Sequence, residues 1–387
     1  MKDTIKLDQL TSLRFFAALM IVFHHAEGLF GLGRPPVNLG QGVSFFFVLS
    51  GFILAHVYPS LDSAQEVRRF WLARFARIWP AYLVTFVFAF VLVRFQWNTV
   101  TGVAHLTMLQ SWLPLSALYF SYNAVAWSIS TEAFFYLAFP VLIRNWTRTW
   151  WIKLVATLAL LVALVILTRK LGLPDYGNPY QGKEGWMATV HGVIYINPLA
   201  RLLEFVSGMA LARFWAGTRR PALWWSAAEI AALLLCAVAM YNSQRLADLA
   251  RGPWGDGAAM WMIHSSAFVG FAMVIYVMSH GAGAISRLLR WRPLVLLGEI
   301  SFSMYLLHQT LFTLWRSNAA ALKAVPLPVA IALYFAVLLG LSYLVWRIVE
   351  VPARRSIMGL AARRELARTS ARSQSGGPER AQGQTAG

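Results

Sequence analysis

The feature that most limits the fold of this chain is a series of apolar runs, each about 20 residues long, that recurs from one end to the other. A helix of about that length crosses the hydrocarbon of a bilayer. Only helices and closed barrels satisfy their backbone polar groups there. Ten segments qualify: 8–30, 40–58, 78–97, 124–143, 150–168, 197–215, 222–241, 258–279, 294–315 and 327–348. The expectation is an all-α polytopic integral membrane protein of about ten transmembrane helices. Composition agrees, since 58% of the residues are hydrophobic and 13% charged, against roughly 45–50% and 25% in soluble domains. Segment 100–122 is half apolar and broken by Pro114, and reads as an interfacial or re-entrant loop. Segment 169–196, with Gly172, Pro174, Gly177 and Pro179, is the longest polar break and reads as a loop.

The formal net charge of +18 would, taken alone, suit a nucleic-acid partner. Its distribution argues against one. With the N-terminus placed inside, the inner segments hold most of the 34 lysines and arginines, in clusters such as Arg68, Arg69, Arg74 and Arg77, or Arg287, Arg290 and Arg292. That is the positive-inside bias of membrane proteins. It predicts cytoplasmic termini, membrane lipid as partner and no nucleic acid. The opening MKDTIKLDQL lacks the features of a cleaved signal peptide, and the run behind it reads as a retained first helix. Residues 1–355 are expected to form the membrane-embedded domain. Residues 356–387, rich in Arg, Ser, Gly and Gln, are expected to be a basic, disordered cytoplasmic tail. No repeat, second domain or fused soluble catalyst is expected. Cys236 sits alone in an apolar run and reads as packing. No metal-binding or nucleotide-binding motif is recognised, so the expectation is no metal and no bound cofactor.

Ionisable groups within membrane helices are expensive, so each is a functional candidate. Arg14 and His25 stand eleven residues apart, close to three full turns, and share one face of the first helix at about 16 Å separation. Snorkelling is a serious competing reading for Arg14. For His25 proton transfer is favoured, because imidazole titrates near neutral pH. Glu132, His25 and His308 all fall in the outer half of the expected bilayer, where a carboxylate and imidazoles could form an acid–base site. A structural Glu–His or Glu–Arg pair is the plain alternative. Arg74 and Arg77 share a helix face at the inner side, where their guanidinium forks suit phosphate oxygens. Ordinary positive-inside charge is the plain alternative, and composition alone slightly favours it. Arg201 and Glu204 are three apart and can pair, in a structural or a substrate-binding role. Glu299 lies near the inner interface, and His56 and His264 suggest no role. Gly42, Ser44, Ser50 and Gly51, around the aromatic cluster of GVSFFFVLSGF, favour close helix packing.

These segments together resemble acyltransferase family 3, the bacterial membrane O-acyltransferases that modify polysaccharides, lipid-linked glycans and some small molecules. LDQLTSLRFFAALMIVFHHA is similar to the family's opening helix and supplies Arg14 and His25. GVSFFFVLSGFILA resembles its second signature, and RRFWLARFARIWPAY its RxxR segment, with Arg74 and Arg77. AWSISTEAFFYLAFP resembles its WSLSxE segment, with Trp127, Ser128, Ser130 and Glu132. LARLLEFVSGM and GEISFSMYLLHQ resemble two later signatures, with Arg201, Glu204, Ser301, Tyr305 and His308. The likenesses are collinear over about residues 6–355. Phe302 stands where many members have Tyr, and Ala133 where many have a second acidic residue.

The resemblance implies an acyl-CoA donor, often acetyl-CoA, as co-substrate. It implies an acceptor hydroxyl on a carbohydrate such as a cell-surface or lipid-linked glycan, and residence in the bacterial cytoplasmic (inner) membrane. The site expected on this basis has His25 and Glu132 as catalytic pair, His25 the general base and Glu132 its orienter. Arg14, Arg74 and Arg77 bind the donor. Trp127, Ser128, Ser130, Arg201, Glu204, Ser301, Tyr305 and His308 bind the acceptor or support the site. The rival from another class is a proton-coupled transporter, which also uses Arg, Glu and His within helices.

Overall fold

The computed structural model describes residues 7–26, 30, 33, 35–178, 182–215, 221–318 and 325–375, with side chains described as far as Arg363. Among them the chain is helical, with no strand, in sixteen α-helices. They are α1 (Asp8–Ala26), α2 (Gly42–Val57), α3 (Ala64–Val93), α4 (Thr99–Leu106), α5 (Ser116–Tyr119), α6 (Trp127–Ile143), α7 (Trp146–Leu171) and α8 (Leu202–Phe214), followed by α9 (Ala222–Tyr241), α10 (Ser243–Trp254), α11 (Asp256–Ser265), α12 (Phe268–Ser279), α13 (Ala284–Leu289), α14 (Arg292–Ser317), α15 (Leu327–Val345) and α16 (Val351–Ser375). Eight helices among the described residues are long and apolar enough to cross a membrane. The protein is an all-α, multi-pass membrane protein.

Several helices depart from their expected limits for identifiable reasons. α3 begins at Ala64, well before the expected residue 78, because Ser63 and Glu66 form a reciprocal capping box at its start. It therefore carries Arg68 through Arg77 as helix. The expected span 197–215 is a 13-residue helix, α8, entered through a π turn at Gly192–Ile196. The expected span 258–279 breaks at Ser266–Ala267, where the Gln41 side chain accepts the Ala267 amide at 2.8 Å. Segment 100–122 includes the short α4 and α5, and between them buried Gln110 and Ser111 bond Tyr82 of α3 and Ser130 of α6. The tail expected to lack structure continues as helix to Ser375. Its Ala, Arg, Glu and Leu are strong helix formers and extend a helix already nucleated. Residues 27–29, Arg34, Arg219, Arg220, Lys323 and 376–387 lie outside the described residues.

α2 is the innermost of the apolar helices, with 72% of its apolar window buried, whereas α7 and the α15 segment are 22% buried and form the outer wall. Small residues let α2 sit there. A side chain at Gly51 would meet the Phe205 carbonyl of α8, and one at Gly208 would meet the Val48 carbonyl of α2, so the two helices cross with their backbones in near contact. Gly42 faces the Ala17 carbonyl of α1 at a spacing that a Cβ would reduce to 2.7 Å. α1 packs along α14, where Gly298 lies against the Thr11 carbonyl. α1, α2, α3, α6, α8 and α14 thus surround the middle of the molecule, and they carry the candidate site residues, with Arg201 at the N-terminal cap of α8.

Candidate active site

Two cavities lie within this bundle, toward opposite ends of α1. The first encloses about 630 Å³ and is lined from α1 by Arg14, from α3 by Arg74 and Arg77, from α6 by Ser128, Glu132 and Tyr136, and from α14 by Glu299, Ser301 and Tyr305. The second encloses about 340 Å³ and is lined by His24 and His25 of α1, Trp127 of α6, His191, Tyr195, His264, Tyr305 and Gln309. Val43 and Tyr305 line both, so the cavities abut there.

In the first cavity Glu132 accepts hydrogen bonds from Ser50 Oγ, at 3.0 Å, and from the Tyr136 hydroxyl. Tyr136 follows Glu132 by one helical turn, which brings the two side chains together. Arg14 lies within the fields of Arg77, Glu132 and Glu350. Arg74 is ringed by Tyr58, Phe70 and Tyr136, its guanidinium carbon 5.8, 5.9 and 5.8 Å from the ring centroids. Its Nε is buried with no hydrogen-bond partner. Ser301 donates to the Gly298 carbonyl at 2.7 Å.

In the second cavity His25 pairs with His308. Their Nδ1 and Nε2 atoms are 2.9 Å apart and the rings stack at 5.1 Å. The partner of His308 on its other side fixes the protons. Its Nδ1 lies 2.5 Å from the Tyr305 carbonyl, which can only accept. His308 Nδ1 therefore carries hydrogen, and in a neutral ring Nε2 is left to accept. His25 Nδ1 must then donate, and the Nε2 of a neutral His25 is left as an unprotonated lone pair. This is the arrangement a general base needs, with a second imidazole and a backbone carbonyl in the orienting position.

The expected partnership of His25 with Glu132 is not found. Similar depth in the bilayer did not bring them together, because α6 turns Glu132 toward Ser50 and the first cavity while α14 presents His308 to His25. Ser128 and Tyr305 meet hydroxyl to hydroxyl at 2.7 Å, and Tyr305 also donates to the Val125 carbonyl at 3.0 Å, so both stand at the boundary between the cavities. Trp127 stacks at a tilt on Tyr195, 4.7 Å between centroids, and forms a wall of the second cavity. Ser130 faces neither cavity. It donates to the Met108 carbonyl at 2.6 Å and bonds Ser111, tying the 107–111 turn to α6.

Arg201 and Glu204 do pair, at 2.9 Å and fully buried. Arg201 also bonds Ser265 and Ser44, and lies 5.2 and 5.0 Å from the Phe47 and Tyr195 rings. Neither residue lines either of these two cavities. They stand behind Tyr195 as its support. Burial, with Arg201 nearby, pulls the pKa of His191 down to about 3, so this wall residue is neutral near pH 7. His191 also bonds the Tyr119 hydroxyl at 3.1 Å.

Residues beyond the sequence expectation complete both cavities. Arg347, Glu350, Arg354 and Arg355 line the first, supplied by the turn after α15 and by α16. Tyr136 could have been found from its spacing to Glu132. His191 reaches the second cavity from the cap of a π turn and His264 from the last turn of α11, and no local pattern announces them.

A family described as an acyltransferase domain matches residues 7–347. The chain is 31% identical to the acyltransferase MdmB of Streptomyces mycarofaciens over 327 residues, 79% of this chain and 78% of that one. It is 27% identical to nodulation protein 10 of Rhizobium leguminosarum bv. viciae, over 57% of this chain and 68% of that one. It is 23% identical to the peptidoglycan O-acetyltransferase OatA of Listeria monocytogenes, over 78% of this chain and 49% of that one, so it spans about half of the latter's length. No solved structure matches. The transporter reading gives way on these likenesses to an enzyme, and the chain belongs to acyltransferase family 3 as a membrane O-acyltransferase.

Proposed function

We propose that this enzyme moves an acyl group, most simply acetyl, from acyl-CoA in the first cavity to a hydroxyl of a carbohydrate acceptor, such as a cell-surface or lipid-linked glycan, in the second. The observation that carries the reading is the junction. A guanidinium-lined cavity and an imidazole-lined cavity meet at Val43 and Tyr305. CoA is a polyanion with its thioester at the end of a long arm. Its phosphates suit Arg74 and Arg77, and the arm can run along α1 from Arg14 toward His25. The rings of Trp127 and Tyr195 and the imidazoles around them suit the faces and hydroxyls of a sugar. A relative named for the acetylation of peptidoglycan supports a glycan hydroxyl.

In this mechanism His25 Nε2 takes the acceptor's hydroxyl proton as the oxygen attacks the thioester carbonyl. A C–O bond forms, the C–S bond breaks, and the proton passes from His25 to the departing CoA sulfur. His308 holds His25 in the required tautomer. Glu132 serves the donor side, where it balances Arg14, and Ser128, Ser301 and Tyr305 line the approach. CoA is co-substrate, and no bound cofactor takes part. The positive-inside bias directs both termini and the first cavity to the cytoplasm. Counting α1 and α8 with the eight apolar helices gives ten crossings, in the bacterial cytoplasmic membrane.

Transfer of label from radiolabelled acetyl-CoA in membrane vesicles of known orientation tests the reading. Wild type should label an extractable glycan or lipid-linked product and release CoA. His25→Ala should lose about 10²–10⁴-fold in rate, the usual contribution of a general base. Arg74→Ala/Arg77→Ala should lose turnover at low acetyl-CoA concentration. Absence of CoA release with every acyl donor supplied, in the presence of crude cell glycans, would overturn the proposal.

A further inference from the structure

The first cavity holds more positive charge than the sequence signatures account for. After α15 the chain makes a π turn over Trp346–Glu350 and continues as α16. Arg347, Glu350, Val351, Arg354 and Arg355 all line the cavity. Their spacing of three, four, seven and eight residues is that of one continuous helical face. The end of the last membrane helix and the start of α16 therefore form a wall of this cavity. With Arg14, Arg74 and Arg77 the lining includes six guanidiniums, against the three carboxylates of Glu132, Glu299 and Glu350.

Positive-inside charge alone would turn arginines outward to lipid headgroups. These converge instead. Arg354 lies in the repulsive fields of Arg77 and Arg74. Glu350 is engaged by the Ser303 hydroxyl, and Glu132 by Ser50 and Tyr136. Among the described residues no carboxylate forms an ion pair with Arg74, Arg77, Arg347, Arg354 or Arg355. The buried Nε of Arg74 has no hydrogen-bond partner. Like charges gathered in a partly enclosed space, with donors unspent, call for a multiply charged anion. Arg14, next to Glu132, lies toward the junction, and the α16 residues are the part of the wall contributed from beyond the last span.

We propose that Arg347, Arg354 and Arg355 join Arg74 and Arg77 in holding the 3′-phosphoadenosine diphosphate end of the donor, so that the enzyme reads the nucleotide of acyl-CoA as well as its thioester. This rests on the acyl-CoA reading above. It makes α16 part of the donor site. The nucleotide end sits at the α16 wall, and the pantetheine arm runs past Arg14 to Val43 and Tyr305.

The test compares three donors in wild-type enzyme and in the triple variant R347Q/R354Q/R355Q: acetyl-CoA, acetyl-3′-dephospho-CoA and S-acetyl-N-acetylcysteamine, which has no nucleotide. Arg363→Gln, on the exposed part of the same helix, controls for folding. Wild type should prefer acetyl-CoA to its dephospho form by about tenfold or more in kcat/KM, as expected for losing one charge-assisted phosphate contact. The triple variant should raise the KM for acetyl-CoA by about tenfold or more on the same grounds, flatten the preference and leave the cysteamine thioester unaffected. Adenosine 3′,5′-bisphosphate should inhibit wild type and not the variant. Equal use of the two CoA donors by wild type, with an unchanged KM in the variant, would overturn the inference, assign the arginines to lipid headgroup phosphate and leave the acyltransferase reading intact. Failure of wild type to use acetyl-CoA at all would overturn that reading, and this one with it.

Discussion

At the scale of single residues the decisive contact is between His25 and His308. Both were legible as candidates because an imidazole inside a membrane helix needs a reason to be there. Their partnership was not, since they lie 283 residues apart. Depth alone equally allowed Glu132. What selects His308 is a chain of hydrogen-bond directions beginning at the Tyr305 carbonyl, which no sequence pattern encodes. That chain makes a specific demand on position 308: one group must donate to the carbonyl and another accept from His25. Glutamine meets both requirements and leucine neither. His308→Gln should therefore keep much of the activity, whereas His308→Leu should lower kcat by about 10²-fold, within the usual range for a general base, with little change in KM for either substrate. The pH–rate profile separates positioning from packing. In the leucine variant the limb assigned to His25 should move, and in the glutamine variant it should stay near its wild-type place. Identical profiles and equal losses in the two variants would leave His308 a packing residue. Arg201 and Glu204 differ in kind. Their pairing was readable from spacing, but their complete burial beneath Tyr195 makes them support for the cavity wall.

At the scale of elements, apolar runs located nearly every helix, and polar detail decided where helices begin, break and meet. α8 is short and α11–α12 is broken because backbone groups there find side-chain partners such as Asn197 and Gln41, which a hydropathy window does not register. α16 is helical where composition suggested disorder, because composition reports poorly on extension of an existing helix. The crossing of α2 and α8 was foreshadowed by Gly51 and the small residues near it, and the structure adds Gly208 from the other side. Both glycines face a backbone carbonyl across the interface, so no rotamer change can make room. Gly51→Ala and Gly208→Ala should each destabilise the protein, by about 1–3 kcal/mol or more for overpacking. They should also separate helices that carry Ser44, Ser50 and Arg201. The measurement is thermal unfolding of purified protein in detergent alongside transfer activity. Gly340→Ala, where a side chain meets open space, is the control and should change neither. Wild-type stability in Gly51→Ala would show that the two helices can move apart at little expense.

At the scale of the whole molecule, two cavities that abut at Val43 and Tyr305 offer separate places for the donor and the acceptor of the proposed reaction. The sequence indicated the two ends of α1 as chemically distinct, arginine at one and histidine at the other. It gave no sign of two cavities, because each is assembled from helices distant in the chain. Access can be measured directly, since the only cysteine in the sequence, Cys236, is buried. In a Cys236→Ser background, Thr11→Cys reports on the first cavity and Gln309→Cys on the second. A membrane-impermeant maleimide should label position 11 only in inside-out vesicles and position 309 only in right-side-out ones. Acetyl-CoA should slow labelling at position 11 by occupying the first cavity. A sugar acceptor should slow labelling at position 309. Labelling of both positions from one side would mean a continuous vestibule, with donor and acceptor entering together. The wall at Val43 and Tyr305 would then not separate the routes by which the two substrates enter. Labelling from opposite sides requires the acyl group itself to pass that wall, and makes the space between Val43 and Tyr305 the limit on the size of acyl group transferred.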